Sequence, residues 1–100
     1  MLSANPLEMY KEIDPELVSQ FKNVQNLALS DGKLPAKFKF LIAMAMDIDH
    51  GTVEGATHLA HGAIKAGATK AEVVEALRVA YYIGGTGALF TAAGVLRNLK

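Results

Sequence analysis

The stretch from Val79 to Leu96 constrains the fold most, because it is eighteen residues long and carries no charged side chain. That length reaches the range of a candidate membrane span. Three of the four residues in Gly84–Gly87 are glycines, however, and glycines at this density break a helix in water. The stretch therefore predicts two buried helices joined by a turn, and no membrane segment.

A helix end and a helix start follow each other closely in the segment Gly67–Glu72. Gly67 is typical of the residue just beyond a helix C-terminus. Thr69 and Glu72 have the spacing of a capping box, in which each side chain accepts a hydrogen bond from the other residue's backbone N–H. Comparable start signals stand at Asp14–Glu16 and at Pro35. These local signals predict where several helices begin and end.

Apolar residues recur at helical spacing along the chain, and the alternation typical of strands is absent. The chain is therefore predicted to be all-α, with about five or six helices in a single domain over residues 1–100. Hydrophobic residues make up 51% of the sequence, which is more than a core of this size easily hides. Part of the apolar surface is expected to be covered by other copies, in a homo-oligomer.

The charge balance excludes several classes of function. Ten basic and ten acidic residues cancel, so the basic surface of a nucleic-acid-binding protein is not expected. The chain has no cysteine, which excludes disulfides and thiol chemistry. Residues 1–10 lack the basic and apolar regions of a signal peptide, so a cytoplasmic location is expected.

The helix predicted from about Thr52 to Gly67 has a nearly smooth face. On a helical wheel with about 100° per residue, this face carries Gly55, Leu59, Gly62 and Ala66. Glycine in a helix interior costs about 1 kcal/mol, so two of them suggest a packing reason. Two explanations stay open: a crevice for a ligand, or tight helix–helix contact within or between subunits.

A polar strip runs along the same helix through Glu54, His58, His61 and Lys65, which are neighbours on a helix surface. It could be a solvated or interface face, a proton-handling site, or a metal site. No further ligand lies near in sequence, so no metal and no cofactor are predicted. His58, His61 and Glu54 are the candidates for acid–base catalysis.

Four residues are candidates for lining a pocket. Asp49 and His50 stand at a predicted turn with Asp47 nearby, where helix capping is the plain alternative. Tyr81 and Tyr82 lie in an apolar helix, where they could fill the core or line a cavity. Met44 and Met46 are predicted to lie in the core.

Four segments together resemble one known family. They are Asp14–Leu17, the apolar helix Phe40–Met46, the segment Ala63–Leu77 around Ala66-Gly67-Ala68-Thr69, and the turn Tyr82–Gly85. From about Asp14 to Leu99 the chain resembles the carboxymuconolactone decarboxylase / alkylhydroperoxidase D-like family. The resemblance implies an all-helical subunit that assembles into dimers, trimers or hexamers, and a trimer or hexamer is expected here.

The resemblance implies two unlike activities, and this chain departs from both patterns. Peroxidase-like members use two cysteines three residues apart, a following histidine and an upstream acid. The matching positions hold Thr52, Gly55, Leu59 and Phe40. Dithiol peroxidase chemistry is therefore not expected.

Decarboxylase members act on a lactone and keep the histidine without needing the cysteines. His58 precedes the matching position by one residue, which is about 100° of helix rotation. Whether the chain is an enzyme stays open, and if it is one, a lyase of this decarboxylase type is expected.

Two hypotheses about function follow. The first is a non-redox enzyme or binder of a small molecule, and it predicts a pocket with convergent polar groups. The second is a non-catalytic oligomeric assembly or partner-binding module on the same scaffold. It predicts histidines in open solvent and no enclosed polar pocket.

Overall fold

The structure, a computed structural model, describes residues 6–99, and every regular element among them is a helix. The all-α prediction and its upper count of helices are confirmed over these residues. The helices are α1 Leu7–Ile13, α2 Pro15–Leu29, α3 Ala36–Asp49, α4 Val53–Lys65, α5 Lys70–Gly84 and α6 Thr86–Asn98.

Residue contacts divide the chain into two units, Met1–Ser30 and Asp31–Lys100, and the single domain expected from the sequence stays a prediction. In the first unit α1 packs against α2. Asp14 is the N-cap of α2, and its carboxylate accepts a hydrogen bond of 3.1 Å from the backbone N–H of Leu17. Pro15 takes the first helical position, where its missing N–H costs no hydrogen bond.

The second unit is a cluster of four helices in which α3 contacts α4, α5 and α6. Each helix contributes a stripe of buried side chains at helical spacing, such as Val73, Leu77 and Ala80 on α5. Because Ala56, Ala60 and Ala63 form the buried stripe of α4, that helix can approach its neighbours closely. Met44 of α3 is fully buried in this core.

The breaks between helices fall at the predicted glycines. Gly51, Gly67 and Gly85 all have a positive φ, a backbone conformation that glycine adopts without steric cost. Gly85 separates α5 from α6, so the uncharged stretch folds as two helices and a turn. The predicted burial of these helices was wrong for residues 81–87 and for Leu89 and Phe90, which are exposed. Within residues 6–99, no helix combines the length and the apolar character required to cross a bilayer.

Met46, which was predicted to lie in the core, lies outside it, and so does Tyr82, for which the core was one of two alternatives. Tyr82 is 83% exposed and Met46 is 59% exposed. The buried stripe of α5 begins at Val73, and Tyr82, nine residues later, is turned by about 180° from it. The core position predicted for Met46 was therefore wrong, and of the two alternatives for Tyr82 the structure excludes core filling, because the core occupies one side of each helix.

The capping box is formed at the start of α5. The Thr69 hydroxyl accepts from the Glu72 N–H at 3.1 Å, and the Glu72 carboxylate accepts from the Thr69 N–H at 2.9 Å. We expect Thr69→Ala to lower the free energy of unfolding by about 1 kcal/mol, because one amide of the first turn loses its partner. An unchanged midpoint in urea unfolding would contradict this expectation.

The Thr69 backbone N–H, and after it the Lys37 ammonium, lower the pKa of Glu72 below its ordinary value of 4.5. A carboxyl with a lowered folded-state pKa stabilises the fold above its unfolded pKa and loses that contribution as the pH falls through the folded value. We expect the difference in melting temperature between wild type and Glu72→Gln to shrink from about pH 7 to about pH 3. An equal difference at both pH values would show that the ionised carboxylate contributes nothing.

Candidate functional site

An apolar groove of about 490 Å³ lies between α3 and α5. On α3 its lining includes Phe38, Ile42 and Met46, which are spaced four residues apart and therefore share one face. On α5 it includes Val79 and Ile83, which are also four apart. Both helices thus use one face for the core and a second apolar face for the groove.

Asp49, the last residue of α3, is the charged side chain in the lining of this groove. Its carboxylate packs directly against Gly84, so closely that a Cβ at position 84 would overlap Asp49 Oδ1. Asp49 is exposed and has no hydrogen-bond or ion-pair partner within residues 6–99. The groove is therefore apolar along its walls and carries an unpaired carboxylate where α3 ends.

A second carboxylate, Asp47 of α3, lies against the first turn of α4. A Cβ at Gly55 would lie 2.5 Å from Asp47 Oδ2 and 3.1 Å from Thr52 Cγ2. Thr52 is the N-cap of α4 but makes no side-chain capping bond. The resemblance assigns the family cysteines to Thr52 and Gly55, and at Gly55 an acid already fills the space that a side chain would take.

Part of the smooth face of α4 packs against other residues of the chain, although Ala66 on the same face is exposed. A Cβ at Gly62 would lie 2.5 Å from Cε1 of Phe40, and both Phe40 and Leu59 pack against the buried core. Tight helix–helix contact within the subunit is thus the explanation that the structure supports for Gly55 and Gly62. Contact with another copy, which the sequence also allowed, stays a prediction.

The three candidates for acid–base catalysis lie on an exposed face of α4. Glu54, His58 and His61 are all exposed, and none of them lines the α3–α5 groove. No set of three or more His, Cys, Asp or Glu within residues 6–99 is arranged to hold a metal ion. The structure therefore does not bring these candidates together with the groove, and their catalytic role stays a prediction.

The other pocket candidates are separated from one another. His50 is the exposed C-cap of α3 and does not line the groove. Tyr81 lines a smaller groove of about 260 Å³ between α5 and α6. Tyr82 lines neither groove and is largely exposed. Of the four candidates, the structure places Asp49 alone in the larger groove.

The apolar walls of that groove were not predicted from the sequence. A signal was present in α3, where residues 38–46 are all apolar except for Lys39. A helix that is apolar on most sides needs a second partner besides the core. The excess of apolar side chains on α3 could therefore have indicated a groove or an interface.

Comparison with known proteins identifies, over most of the chain, the same family that the sequence resembles. The model of the carboxymuconolactone decarboxylase family matches residues 15–98. An uncharacterized protein of Cupriavidus necator is 30% identical over 82 residues, covering 81% of this chain and 73% of that protein.

A crystal structure shows a similar fold. It is the apo form of a carboxymuconolactone decarboxylase family protein from Legionella pneumophila, with a TM-score of 0.86 and 33% identity. The similarity covers 92% of this chain and 82% of the Legionella chain. The chain therefore belongs to the carboxymuconolactone decarboxylase family.

Proposed function

We propose that this protein binds a small, largely apolar molecule in the α3–α5 groove and acts on it, if at all, by non-redox chemistry. The observation that carries the proposal is the groove itself, with a volume of about 490 Å³. Pockets for small molecules are typically about 300–1,000 Å³, with mostly apolar walls and a few polar groups. The α3–α5 groove has the size and the walls of such a site, with one carboxylate.

Binding without redox chemistry agrees with the residues at the family positions. The chain has no cysteine, and the Asp47 carboxylate occupies the space beside Gly55. Acid–base catalysis by His58, His61 or Glu54 has less support, because these side chains are exposed and lie away from the groove. If turnover occurs, we expect a lyase-type reaction that depends on one of the two histidines.

A ligand screen with a blocked groove tests the binding proposal. Small lactones, alcohols and amines are to be screened by thermal shift against wild type and Ala45→Phe, since Ala45 lines the groove. Ala71→Phe is the matched control, because Ala71 is exposed on α5 outside the groove. We expect compounds that stabilise wild type and Ala71→Phe but leave Ala45→Phe unchanged. Equal stabilisation of all three proteins would place the binding elsewhere.

A second candidate function is a non-catalytic assembly module, and the exposed apolar side chains favour it. Leu27 and Tyr82 are each 83% exposed, and Phe90 is 77% exposed. Contiguous exposed apolar side chains mark interaction surfaces, and Tyr82 is followed directly by Ile83, which is 73% exposed. The exposed histidines on α4 also agree with this alternative. The cytoplasmic location expected from the sequence stays a prediction.

We expect a homo-oligomer, and a trimer or hexamer is what the family resemblance implies. An interface would be stabilised because burying one large apolar side chain contributes about 1.5–3 kcal/mol. Light scattering at micromolar concentration should give a multiple of 10.6 kDa. Tyr82→Glu or Phe90→Glu should shift the mass toward the monomer, since a charge cannot be buried without a partner. Lys65→Glu, at an exposed position on α4, should not. A wild-type mass near 10.6 kDa would refute the assembly.

A further inference from the structure

We infer that the α3–α5 groove prefers amphipathic cations, in which an apolar body lies along the groove and an ammonium group faces Asp49. The inference rests on the groove-binding function proposed above. It adds the chemical class of the ligand, which is an alkyl or aryl amine in its protonated form. The argument depends on the walls, on the unpaired carboxylate and on the charges around the groove.

The walls favour an apolar body because they are themselves exposed to water. Ile42, Met46, Val79 and Ile83 line the groove and are each more than half exposed. A ligand that covers them removes apolar surface from water on both partners, and this contributes about 25 cal/mol per Å². The walls alone, however, do not distinguish a cation from an anion or a neutral molecule.

Asp49 makes the groove favour a cation over an anion or a neutral molecule. A carboxylate with no partner among residues 6–99 can accept a charge-assisted hydrogen bond from an ammonium group. Gly84 lets the carboxylate lie against α5, since a larger residue at that position would push it away. A neutral alcohol gains only an ordinary hydrogen bond there, and a carboxylate ligand is repelled.

The charges at the Phe38 end of the groove act in the same direction. Glu72 and Glu75 lie beside Phe38, Ala76 and Val79. Lys37, which flanks this end, is paired with Glu72 at 3.2 Å, so its charge is largely compensated. Glu75 has no partner among the described residues. Asp49 at one end and Glu75 at the other are thus the unpaired charged residues in the lining, and both are acidic.

The test compares three probes with the same six-carbon body: hexylamine, hexanol and hexanoate. Binding is followed by NMR of isoleucine δ1 methyl groups at neutral pH, where the amine is protonated. Ile42 and Ile83 line the groove, whereas Ile64 on α4 lies outside it and serves as the internal reference. The proteins are wild type, Asp49→Asn and the matched control Asp47→Asn.

In wild type, hexylamine should bind about three- to tenfold more tightly than hexanol, and hexanoate should bind most weakly, as expected for a partly exposed charge pair. Asp49→Asn should remove the preference for the amine and leave hexanol binding unchanged. Asp47→Asn should keep the preference, because Asp47 faces Gly55 rather than the groove.

Two kinds of failure are distinguishable. Equal affinities for the three probes, or an amine preference that survives Asp49→Asn, would overturn the cation preference while groove binding stands. If no probe shifts the Ile42 and Ile83 methyl signals in wild type, the groove-binding function fails, and the cation preference fails with it.

Discussion

Purified protein is expected to consume no more than about four equivalents of an alkyl hydroperoxide per chain, whatever thiol reductant is supplied. The limit is set by the four methionines, each of which can be oxidised once to the sulfoxide without turnover. Sustained reduction by the family's dithiol route needs a thiolate, a resolving thiol and a proton relay. Thr52, Gly55, Leu59 and Phe40 hold those positions, and none of these side chains can replace them.

Restoring the two thiols alone is not expected to restore the activity. In Thr52→Cys/Gly55→Cys, the new side chain at position 55 would meet the Asp47 carboxylate. A carboxylate beside a thiol also raises the thiol pKa, since it disfavours the second negative charge. The thiols should therefore react slowly in this variant and faster when Asp47→Ala is added.

The measurement is peroxide loss as a function of enzyme concentration, with the reductant alone as the blank. A short burst that stops at a few equivalents agrees with methionine oxidation. Turnover by wild type that continues past this burst and scales with enzyme concentration would show that a different group carries the chemistry.

Helix boundaries could be predicted from the sequence because their signals are local. The capping box at Thr69 and Glu72, the N-cap at Asp14 and the glycine at position 85 each involve a few neighbouring residues. A cap or a positive φ needs no information from distant parts of the chain. The resemblance to the family also rests largely on one short segment, Ala63–Leu77, whose residues are read directly from the sequence.

The candidate site could not be predicted to the same degree, because it depends on contacts between helices. The contact of Asp49 with Gly84 joins two residues that are 35 positions apart in sequence and lie on different helices. Met46 reads equally well as a core residue or a groove residue, since α3 is apolar on more than one face. Periodicity gives the apolar faces of a helix but not which neighbour each face meets.

The contact between Gly62 of α4 and Phe40 of α3 should decide whether Gly62→Ala raises or lowers the free energy of unfolding. In an open helix position, Gly→Ala stabilises by about 1 kcal/mol. At Gly62 the new methyl would lie 2.5 Å from Cε1 and 2.6 Å from Cδ1 of Phe40. The ring is half-buried against the core, so it cannot move without loss of packing, and overpacking of this kind costs about 1–3 kcal/mol.

We therefore expect Gly62→Ala to destabilise the protein by about 1–2 kcal/mol in the wild-type background. In Phe40→Ala, where the ring is gone, the same substitution should instead stabilise by about 1 kcal/mol. Urea unfolding of the four proteins gives the coupling energy between the two positions. Gly87→Ala is the control, because a Cβ there meets no atom within 4 Å, and its effect should be the same in both backgrounds. If Gly62→Ala stabilised the wild type, the ring would be free to move, and close packing would not explain why glycine stands at position 62.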